Sequence, residues 1–195
     1  MSISPADLIA FESEIAADFN AGRIKAPVHL AGGNENELIA IFREIKPDDW
    51  VLCTWRSHYH CLLKGVPPDH LKAAIHAGRS IALCFPAHRI LCSAIVGGIC
   101  PIAVGLAWAI KERGGRERVH AFVGDMTAMG GIYHESMVYA ARHALPLHWI
   151  VEDNGKSVCT STREVWGAHA EVPCVTHYDY HLDKPHVGTG RFVRF

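Results

Sequence analysis

The sequence predicts an α/β protein in which a parallel sheet is flanked by helices. The main observation is a strand-helix-strand pattern: VHAFV at 119–123 is short and apolar, a helical pattern covers 132–145, and LHWIV follows at 147–151. Such a crossover normally makes the two strands parallel neighbours with a right-handed connection. Amphipathic helical patterns near the start of the chain supply a flanking layer. Because 195 residues with 49% apolar content can bury one core, a single domain over 1–195 is expected.

Composition and charge argue against several classes of protein. Charged residues make up 20% of the chain and the net charge is -1, which argues against disorder and against a basic surface for nucleic acid. The first ten residues lack the features of a secretory signal, and no stretch of about 18 uncharged apolar residues predicts a membrane span. We therefore expect a soluble, cytoplasmic protein that binds neither nucleic acid nor membrane.

Cysteine and histidine are frequent, but their spacing matches no disulfide or metal pattern. The seven cysteines include no CxxC pair, which argues against both a disulfide framework and a zinc knuckle. The fourteen histidines include no HExxH spacing. We therefore expect reduced thiols, and histidines that mostly lie at the surface or at the edge of the core.

Two helices are predicted at the start of the chain. Ser4 and Pro5 have the pattern of an N-cap and a first turn, and the apolar spacing after them predicts a helix to about residue 21. Asn34 followed by Glu37 resembles a capping box and predicts a second helix that ends near residue 46, where Pro47 stops it.

Shorter elements are predicted in the middle of the chain. We expect a strand at 50–54, helices at 57–64 and 67–77, and a loop at 79–93, where no period is visible. Residues 95–113 are rich in small and apolar side chains, and they predict a buried helix entered through a glycine-rich turn. A last strand is expected at 173–178, and a short tail follows it.

Two polar pairs stand just past the two strands of the crossover. Gly124 and Asp125 follow the first strand, and Asp153 and Asn154 follow the second. Because the strands are parallel, both pairs fall at the carboxyl edge of the sheet, where such folds bind ligands. A carboxylate and an amide oxygen held together suit Mg²⁺, which keeps other positions for phosphate oxygens and water. The spacing fits equally well with Asp125 as a helix cap and 153–155 as a turn.

The segment GDMTAMGGIYHESMVYAARHALPLHWIVEDN at 124–154 resembles the thiamine-diphosphate motif of 2-oxoacid dehydrogenase alpha subunits. That motif begins Gly-Asp-Gly and closes with two asparagines, and the spacing here matches it without a gap. The resemblance implies that Mg²⁺ is bound by the side chains of Asp125 and Asn154 and by the backbone carbonyl of Lys156. It also assigns three further residues of the first turn to the cofactor contact: Gly124, Met126 and Thr127.

The sequence departs from the motif at two positions. Met126 stands where a third glycine is expected, and Asp153 stands where the first asparagine is expected. Neither change removes an implied metal ligand, but a side chain at 126 is expected to alter how closely the backbone approaches the diphosphate. The resemblance covers 45–166, whereas family alpha subunits continue with more helices and a loop that closes the active site. We therefore expect one diphosphate-binding domain, truncated at its C-terminus relative to the family.

An arginine segment upstream resembles the same family. Trp55-Arg56-Ser57-His58 is similar to its Tyr-Arg-x-His segment, which implies that Trp55 and Arg56 contact the diphosphate. Arginine suits this role because it is a permanently charged, bidentate donor. The alternative is that Arg56 is a surface ion-pair partner, as a single arginine near aromatic residues often is.

A small-residue segment at 94–101 resembles the family's Gly-Ile-Val-Gly turn and the helix after it. That turn holds the aminopyrimidine ring of the cofactor and props the cofactor in a bent form. The resemblance implies polar backbone contacts from Ala94 and Val96, with Ile95 between them and the Val96 side chain as the apolar wedge. A tightly packed small-residue helix is the alternative, and the two interpretations are compatible.

The resemblance implies a transketolase-like diphosphate-domain fold and a function as one half of a split enzyme. The expected reaction uses thiamine diphosphate and Mg²⁺ on a 2-oxo substrate or a ketose, either decarboxylation with oxidative acyl transfer or two-carbon transfer. In this family a separate pyrimidine-binding beta-type subunit supplies the activating glutamate. We therefore expect an alpha2-beta2 assembly, and no activity from this chain alone.

Proton transfer and substrate contact need further groups. His58, His60 and His88 are candidates, as proton donors or as contacts for the acid group of a substrate, because imidazole titrates near neutral pH. The alternative function is a non-catalytic regulatory or scaffold protein that retains the fold, with Met126 as a sign of lost catalysis. Tyr178-Asp179-Tyr180-His181 resembles a late Tyr-Arg-Tyr-His element of the family.

Overall fold

Six strands form one sheet in the computed structural model, which describes residues 3–167 and 175–195. In spatial order the strands are β2 (Cys84–Phe85), β3 (Ile90–Cys92), β1 (Trp50–Cys53), β4 (Val119–Gly124), β5 (Leu147–Asp153) and β8 (Val175–Asp179). All neighbours are parallel except β2 and β3. A small antiparallel hairpin, β6 (Lys156–Ser157) and β7 (Thr160–Ser161), lies beside this sheet. The predicted α/β class is confirmed, with one antiparallel edge.

Helices cover both faces of the sheet. They are α1 (Pro5–Asn20), α2 (Glu35–Phe42), α3 (His58–Leu63), α4 (Pro68–Ala74), α5 (Ile99–Glu112), α6 (Asp125–Ala128), α7 (Gly131–Arg142) and α8 (Thr162–Trp166). Helices α1 to α4 contribute to one apolar core, and α5 and α7 contribute to the other. None of the helices in the described residues combines the length and the apolar character needed to cross a bilayer.

The crossover strands are buried on both faces. On β4, Phe122 packs into the core beside α1 to α4, whereas Ala121 and Val123 pack into the core beside α5 and α7. On β5, Ile150 packs into the core beside α1 to α4, and Trp149 packs into the core beside α5 and α7. Because side chains alternate across a strand, a strand covered on both faces is a continuous apolar run in the sequence. This explains why the sequence located the crossover so clearly.

The first two helices differ in how their starts are made. The Ser4 hydroxyl accepts from the backbone of Asp7, and the Asp7 carboxylate accepts from the backbone of Ser4, so the predicted start of α1 is confirmed. The capping-box prediction for α2 is wrong, because the Asn34 side chain makes no cap hydrogen bond. Its amide group instead donates to Tyr178 Oη at 3.0 Å, since tertiary structure gives it a buried partner.

The predicted loop at 79–93 is also wrong. Residues Ile90 and Cys92 of β3 are buried and pair with β1, and β2 lies outside them. Two strands of two and three residues are too short to show a period, and Arg89 between them adopts a left-handed backbone with φ 54°.

The buried helix α5 is entered through a glycine-rich turn, as predicted. It begins at Ile99 because Gly97, with φ +73°, lies outside the helical region of backbone angles. A Cβ on Gly97 would come within 2.6 Å of the Ile132 side chain, so the turn needs glycine on two grounds. Its predicted burial is confirmed by residues such as Ala103 and Ala107, which have no exposed surface.

The chain returns across the carboxyl edge of the sheet after β8. The first two residues of the predicted last strand, 173 and 174, lie outside the described residues, and β8 itself ends at Asp179. We name residues 180–195 the strap. Its start is held by the Tyr180 amide, which donates to the Asp153 carbonyl at 2.8 Å. Its far end is held by Phe195, which exchanges two backbone hydrogen bonds with the Asn20 side chain on α1.

Candidate functional site

A cavity of about 600 Å³ opens at the carboxyl edge of the sheet, where β1, β4 and β5 end. Its walls come from the turns after these three strands, from the β6–β7 hairpin and from the strap. Eight of the residues assigned from the sequence line it: Trp55, Arg56, Gly124, Asp125, Met126, Thr127, Asn154 and Lys156. The structure therefore brings together the residues of three separate sequence segments.

Asp125 is a buried carboxylate at the start of α6. Its residue is 3% exposed, and the hydroxyl of Thr162 donates to its Oδ2. Burial raises the pKa of Asp125 above its ordinary value, and the negative charge of Asp153 raises the pKa further. The side chain thus carries an electrostatic cost that a nearby cation would offset.

Asn154 and Asp153 point their polar atoms to different places. Asn154 lines the cavity, where its amide group donates to Tyr180 Oη at 3.2 Å and its Oδ1 accepts from the Lys156 amide at 3.1 Å. Asp153 does not line the cavity; its Oδ1 accepts from Gly155 at 2.7 Å and its Oδ2 lies 3.2 Å from His177 Nε2. The aspartate that departs from the family motif is therefore engaged outside the cavity.

Trp55 and Arg56 form the wall after β1. Arg56 Nε donates to the Leu30 carbonyl at 3.0 Å, which fixes the half-buried guanidinium against the wall. Trp55 Nε1 is buried and has no hydrogen-bond partner among the residues that the structure describes. An indole N–H can only donate, so this wall contains a buried donor without a described partner, next in sequence to the fixed cation. Both features suit an anionic oxygen.

Met126 fills space at the turn where the family motif has glycine. It is half-buried, lines the cavity, and its Sδ accepts from Trp166 Nε1 at 3.1 Å. Thr127 beside it is buried. The methionine therefore makes a specific packing contact with α8.

The turn at 94–96 lies outside the cavity, although it follows β3 on the same edge of the sheet. All three residues are exposed, with Ile95 at 73% and Val96 at 59%. Ala94, Ile95 and Val96 therefore present an apolar surface that nothing in the described chain covers. Their predicted contact with the aminopyrimidine ring stays a prediction.

The three histidines predicted to act in catalysis do not reach the cavity. His58 is fully buried between Glu12 Oε2, at 3.0 Å, and Ser80 Oγ, at 2.9 Å. His60 is buried against Phe122, with its Nε2 at 3.3 Å from Glu152 Oε1 but without a hydrogen bond between them. His88 belongs to a 3-10 turn between β2 and β3. Their placement gives the predicted role no support, and that role stays a prediction.

A buried carboxylate on the cavity floor was missed by the sequence analysis. Glu152 is 7% exposed, lines the cavity and accepts from Tyr178 Oη at 2.5 Å and from the Asn34 amide at 3.4 Å. Tyr180 lines the cavity as well, and burial raises its pKa to about 12, so its hydroxyl stays protonated. The resemblance of 178–181 to a late family element was the available indication of this cluster.

The strap supplies the wall that sequence reasoning did not foresee. It adds Lys184, His186, Arg191 and Arg194 to the cavity lining. The ring of His186 packs against that of His29, with 4.3 Å between centroids and 45° between the ring planes. Burial lowers the pKa of His29 to about 3, and the charges of His186 and Arg56 act in the same direction.

Comparison with known proteins identifies the family. The model of the family "Dehydrogenase E1 component" matches residues 6–170. The chain is 31% identical to the alpha subunit of acetoin:2,6-dichlorophenolindophenol oxidoreductase from Cupriavidus necator, over 77% of this chain and 48% of the relative. It is 29% identical to the alpha subunit of the pyruvate dehydrogenase E1 component from Rickettsia prowazekii, over 77% of this chain and 49% of the relative.

One solved structure shows a weaker likeness. It is described as a thiamin diphosphate-dependent enzyme from Mycobacterium smegmatis, with a TM-score of 0.47 and 20% identity, over 67% of this chain and 23% of that one. The chain spans about half the length of the curated relatives it matches. On the match of the family model to most of its length, the chain belongs to the dehydrogenase E1 component family, as its motifs predicted.

Proposed function

We propose that this chain is the diphosphate-binding, alpha-type subunit of a two-subunit enzyme that uses thiamine diphosphate and Mg²⁺ on a 2-oxoacid or a ketose. The observation that carries the proposal is the single cavity lined by eight residues from three sequence segments. Family membership supports the same function, because relatives of this chain are alpha subunits of acetoin and pyruvate dehydrogenases.

The metal end of the proposed site is supported by the chemistry of Asp125 and Asn154. A carboxylate and an amide oxygen are hard ligands suited to Mg²⁺. Burial raises the pKa of Asp125, so a divalent cation beside it would offset the cost of keeping the carboxylate ionised. In this proposal the backbone carbonyl of Lys156, in the hairpin that lines the cavity, is the third protein ligand.

The diphosphate end is supported by the wall after β1. The buried Trp55 N–H has no partner among the described residues, and leaving such a donor unsatisfied costs about 1 to 3 kcal/mol. An anionic oxygen in the cavity would remove that cost, and the fixed Arg56 guanidinium would add a charge-assisted hydrogen bond. The residues present therefore fit a diphosphate group.

The chemistry divides between cofactor and protein. Thiamine diphosphate, when bound, supplies a carbon nucleophile for a carbonyl group and a sink for the electron pair that is released. The residues of this chain hold the diphosphate end and keep it partly away from water, with Asp125 and Glu152 buried below the ligand space. The catalytic roles of His58, His60 and His88 stay predictions.

A partner subunit belongs to the proposal. Ile95, Val96 and Ile132 of α7 are exposed, and the Ile132 side chain packs against Gly97, which follows Val96, so a second subunit would cover this apolar surface. Glu135 is exposed on α7 and does not line the cavity, so it is not placed to activate the cofactor. We propose that a beta-type subunit supplies that glutamate in an alpha2-beta2 assembly, and that this assembly works in the cytoplasm.

Calorimetry tests the proposal directly. Thiamine diphosphate should bind the purified chain with Mg²⁺ present and lose affinity when Mg²⁺ is chelated. Pyruvate turnover should require co-expression with a beta-type subunit. A folded chain that binds no cofactor, with or without that partner, would favour the regulatory or scaffold function, for which the Met126–Trp166 contact is the supporting observation. Turnover by the isolated chain would contradict the divided site.

A further inference from the structure

Three cations of the strap line the cavity and form no ion pair with the residues that the structure describes. Lys184, Arg191 and Arg194 all belong to the cavity wall, and none of them forms an ion pair with any residue between 3 and 167 or between 175 and 195. The acid of the same segment, Asp183, does not line the cavity; it pairs instead with His181 at 2.9 Å. The strap therefore adds three positive residues and no carboxylate to the lining of the cavity.

These cations exceed what the proposed cofactor needs. The cavity lining holds five Lys and Arg residues and two carboxylates, Asp125 and Glu152. Mg²⁺ largely offsets the negative charge of a diphosphate, and the thiazolium ring of the cofactor is itself positive. Binding the cofactor with its metal would therefore leave the excess positive charge almost unchanged. A concave wall concentrates such a field and attracts anions.

The strap backbone is held at both ends, so the residues that carry its cations stay beside the cavity. The Tyr180 amide is bonded to Asp153, Leu182 is buried at 5% exposure, and Phe195 is bonded twice to Asn20. Between these points the His186 ring packs against the His29 ring. A backbone that is held in this way loses less conformational entropy when a ligand binds.

We propose that the strap forms a second anion subsite of the cavity, in which Arg191, Arg194 and Lys184 bind an anionic group remote from the reacting carbonyl of the substrate. This inference rests on the proposed function, because that function defines which carbonyl reacts. The substrate class is then a 2-oxoacid or ketose with an additional carboxylate or phosphate. A 2-oxoacid with a plain alkyl chain lacks the group that the subsite binds.

The test compares three ligands on the full chain loaded with thiamine diphosphate and Mg²⁺. Calorimetry measures 2-oxoglutarate for a remote carboxylate, fructose 6-phosphate for a remote phosphate, and 2-oxobutyrate as the neutral-chain control. We expect at least one of the two anionic probes to bind about tenfold more tightly than 2-oxobutyrate, and added salt to weaken that preference. The double variant Arg191→Gln/Arg194→Gln should lose the preference. Arg142→Gln, which removes an exposed arginine on α7, should keep it.

Two results would overturn the subsite. One is equal binding of all three ligands to the unmodified chain. The other is a loss of thiamine diphosphate affinity in the double variant as large as that of Arg56→Ala, because the strap cations would then serve the diphosphate. Failure of the proposed function is distinguishable: an unmodified chain that binds no thiamine diphosphate contradicts that function. The three ligands are then compared on the cofactor-free chain. There the subsite requires that the unmodified chain prefers an anionic probe and that the Arg191→Gln/Arg194→Gln double variant does not. A melting curve verifies that each variant is folded.

Discussion

The two walls of the cavity are built in different ways. The strand-end wall carries Asp125 and Asn154 directly after β4 and β5, so sheet register fixes where they stand. The strap wall carries its cations on irregular chain that is tied down at a few points. The strand-end wall suits a ligand group that must be bound in one geometry, such as a diphosphate with its metal ion. The strap wall suits an anionic group whose binding depends on electrostatic attraction more than on exact geometry.

Removing a strand-end ligand should have the largest effect. Asp125→Ala and Asn154→Ala are each expected to lower the affinity for Mg²⁺ and thiamine diphosphate by about a hundredfold or more, since loss of a metal ligand exceeds the loss of an outer partner. Calorimetry with each variant measures this effect. Asp183→Ala, which removes a carboxylate outside the cavity, serves as the control. Undiminished binding in both variants would refute the metal assignment.

Truncating Arg56 should have a smaller effect on the same wall. Arg56→Ala removes one charge-assisted contact, so we expect cofactor binding to weaken by about 1.5 to 3 kcal/mol. Arg142→Ala provides a matched loss of one exposed arginine. If the two variants bind the cofactor equally well, Arg56 is only a structural partner of the Leu30 carbonyl.

Acid should act on the contact between the strap and the rest of the chain. The pKa of buried His29 is lowered to about 3, so the folded protein resists protonation while the unfolded chain accepts a proton below about pH 6.5. The contribution of neutral His29 to the free energy of unfolding is therefore fully present above about pH 6.5. It decreases as the pH falls towards 3, and the loss at pH 5 is at most about 2 kcal/mol. Urea unfolding at pH 7 and pH 5 should show a smaller loss in His29→Gln. Exposed His181→Gln should behave like the unmodified chain.

Met126 should contribute the smallest of these effects. The residue is half-buried against Trp166, so Met126→Gly is expected to lower the free energy of unfolding by about 1 to 2 kcal/mol, below the range for fully buried methionine. Met126→Leu conserves volume and should cost less. Thermal melts compare the two variants. If glycine leaves stability unchanged and tightens cofactor binding, Met126 crowds the diphosphate turn instead of packing.

The sequence predicted the strand-end wall far better than the strap wall. Strands buried on both faces are unbroken apolar runs, so the crossover and the turns after it could be located from local pattern alone. The strands at 84–85 and 90–92 were missed because two or three residues show no period. Asn34 was misassigned as a cap because its real partners, Tyr178 and Glu152, lie more than 100 positions away.

The site residues show the same difference between local pattern and contacts that are distant in sequence. Gly124, Asp125 and Asn154 follow from spacing within one crossover, whereas the contact between His186 and His29 depends on how the chain returns after β8. No local pattern encodes that return. His58 and His60 were candidates because imidazole titrates near neutral pH, but both are buried in α3, whose residues 58–62 are all buried. The sequence of so short a helix does not show that it is covered on all sides.

The bond between Asn20 and Phe195 joins residues 175 positions apart. Closing a loop of that length costs entropy before any contact repays it, so this contact is expected to form late in folding and to open early. Amide hydrogens of the strap should then exchange with solvent faster than those of β4 and β5, which are buried on both faces. A ligand that contacts both the strap and the strand-end wall would slow the exchange of the strap amides. The size of that change would measure how much the ligand stabilises the part of the chain that folds last.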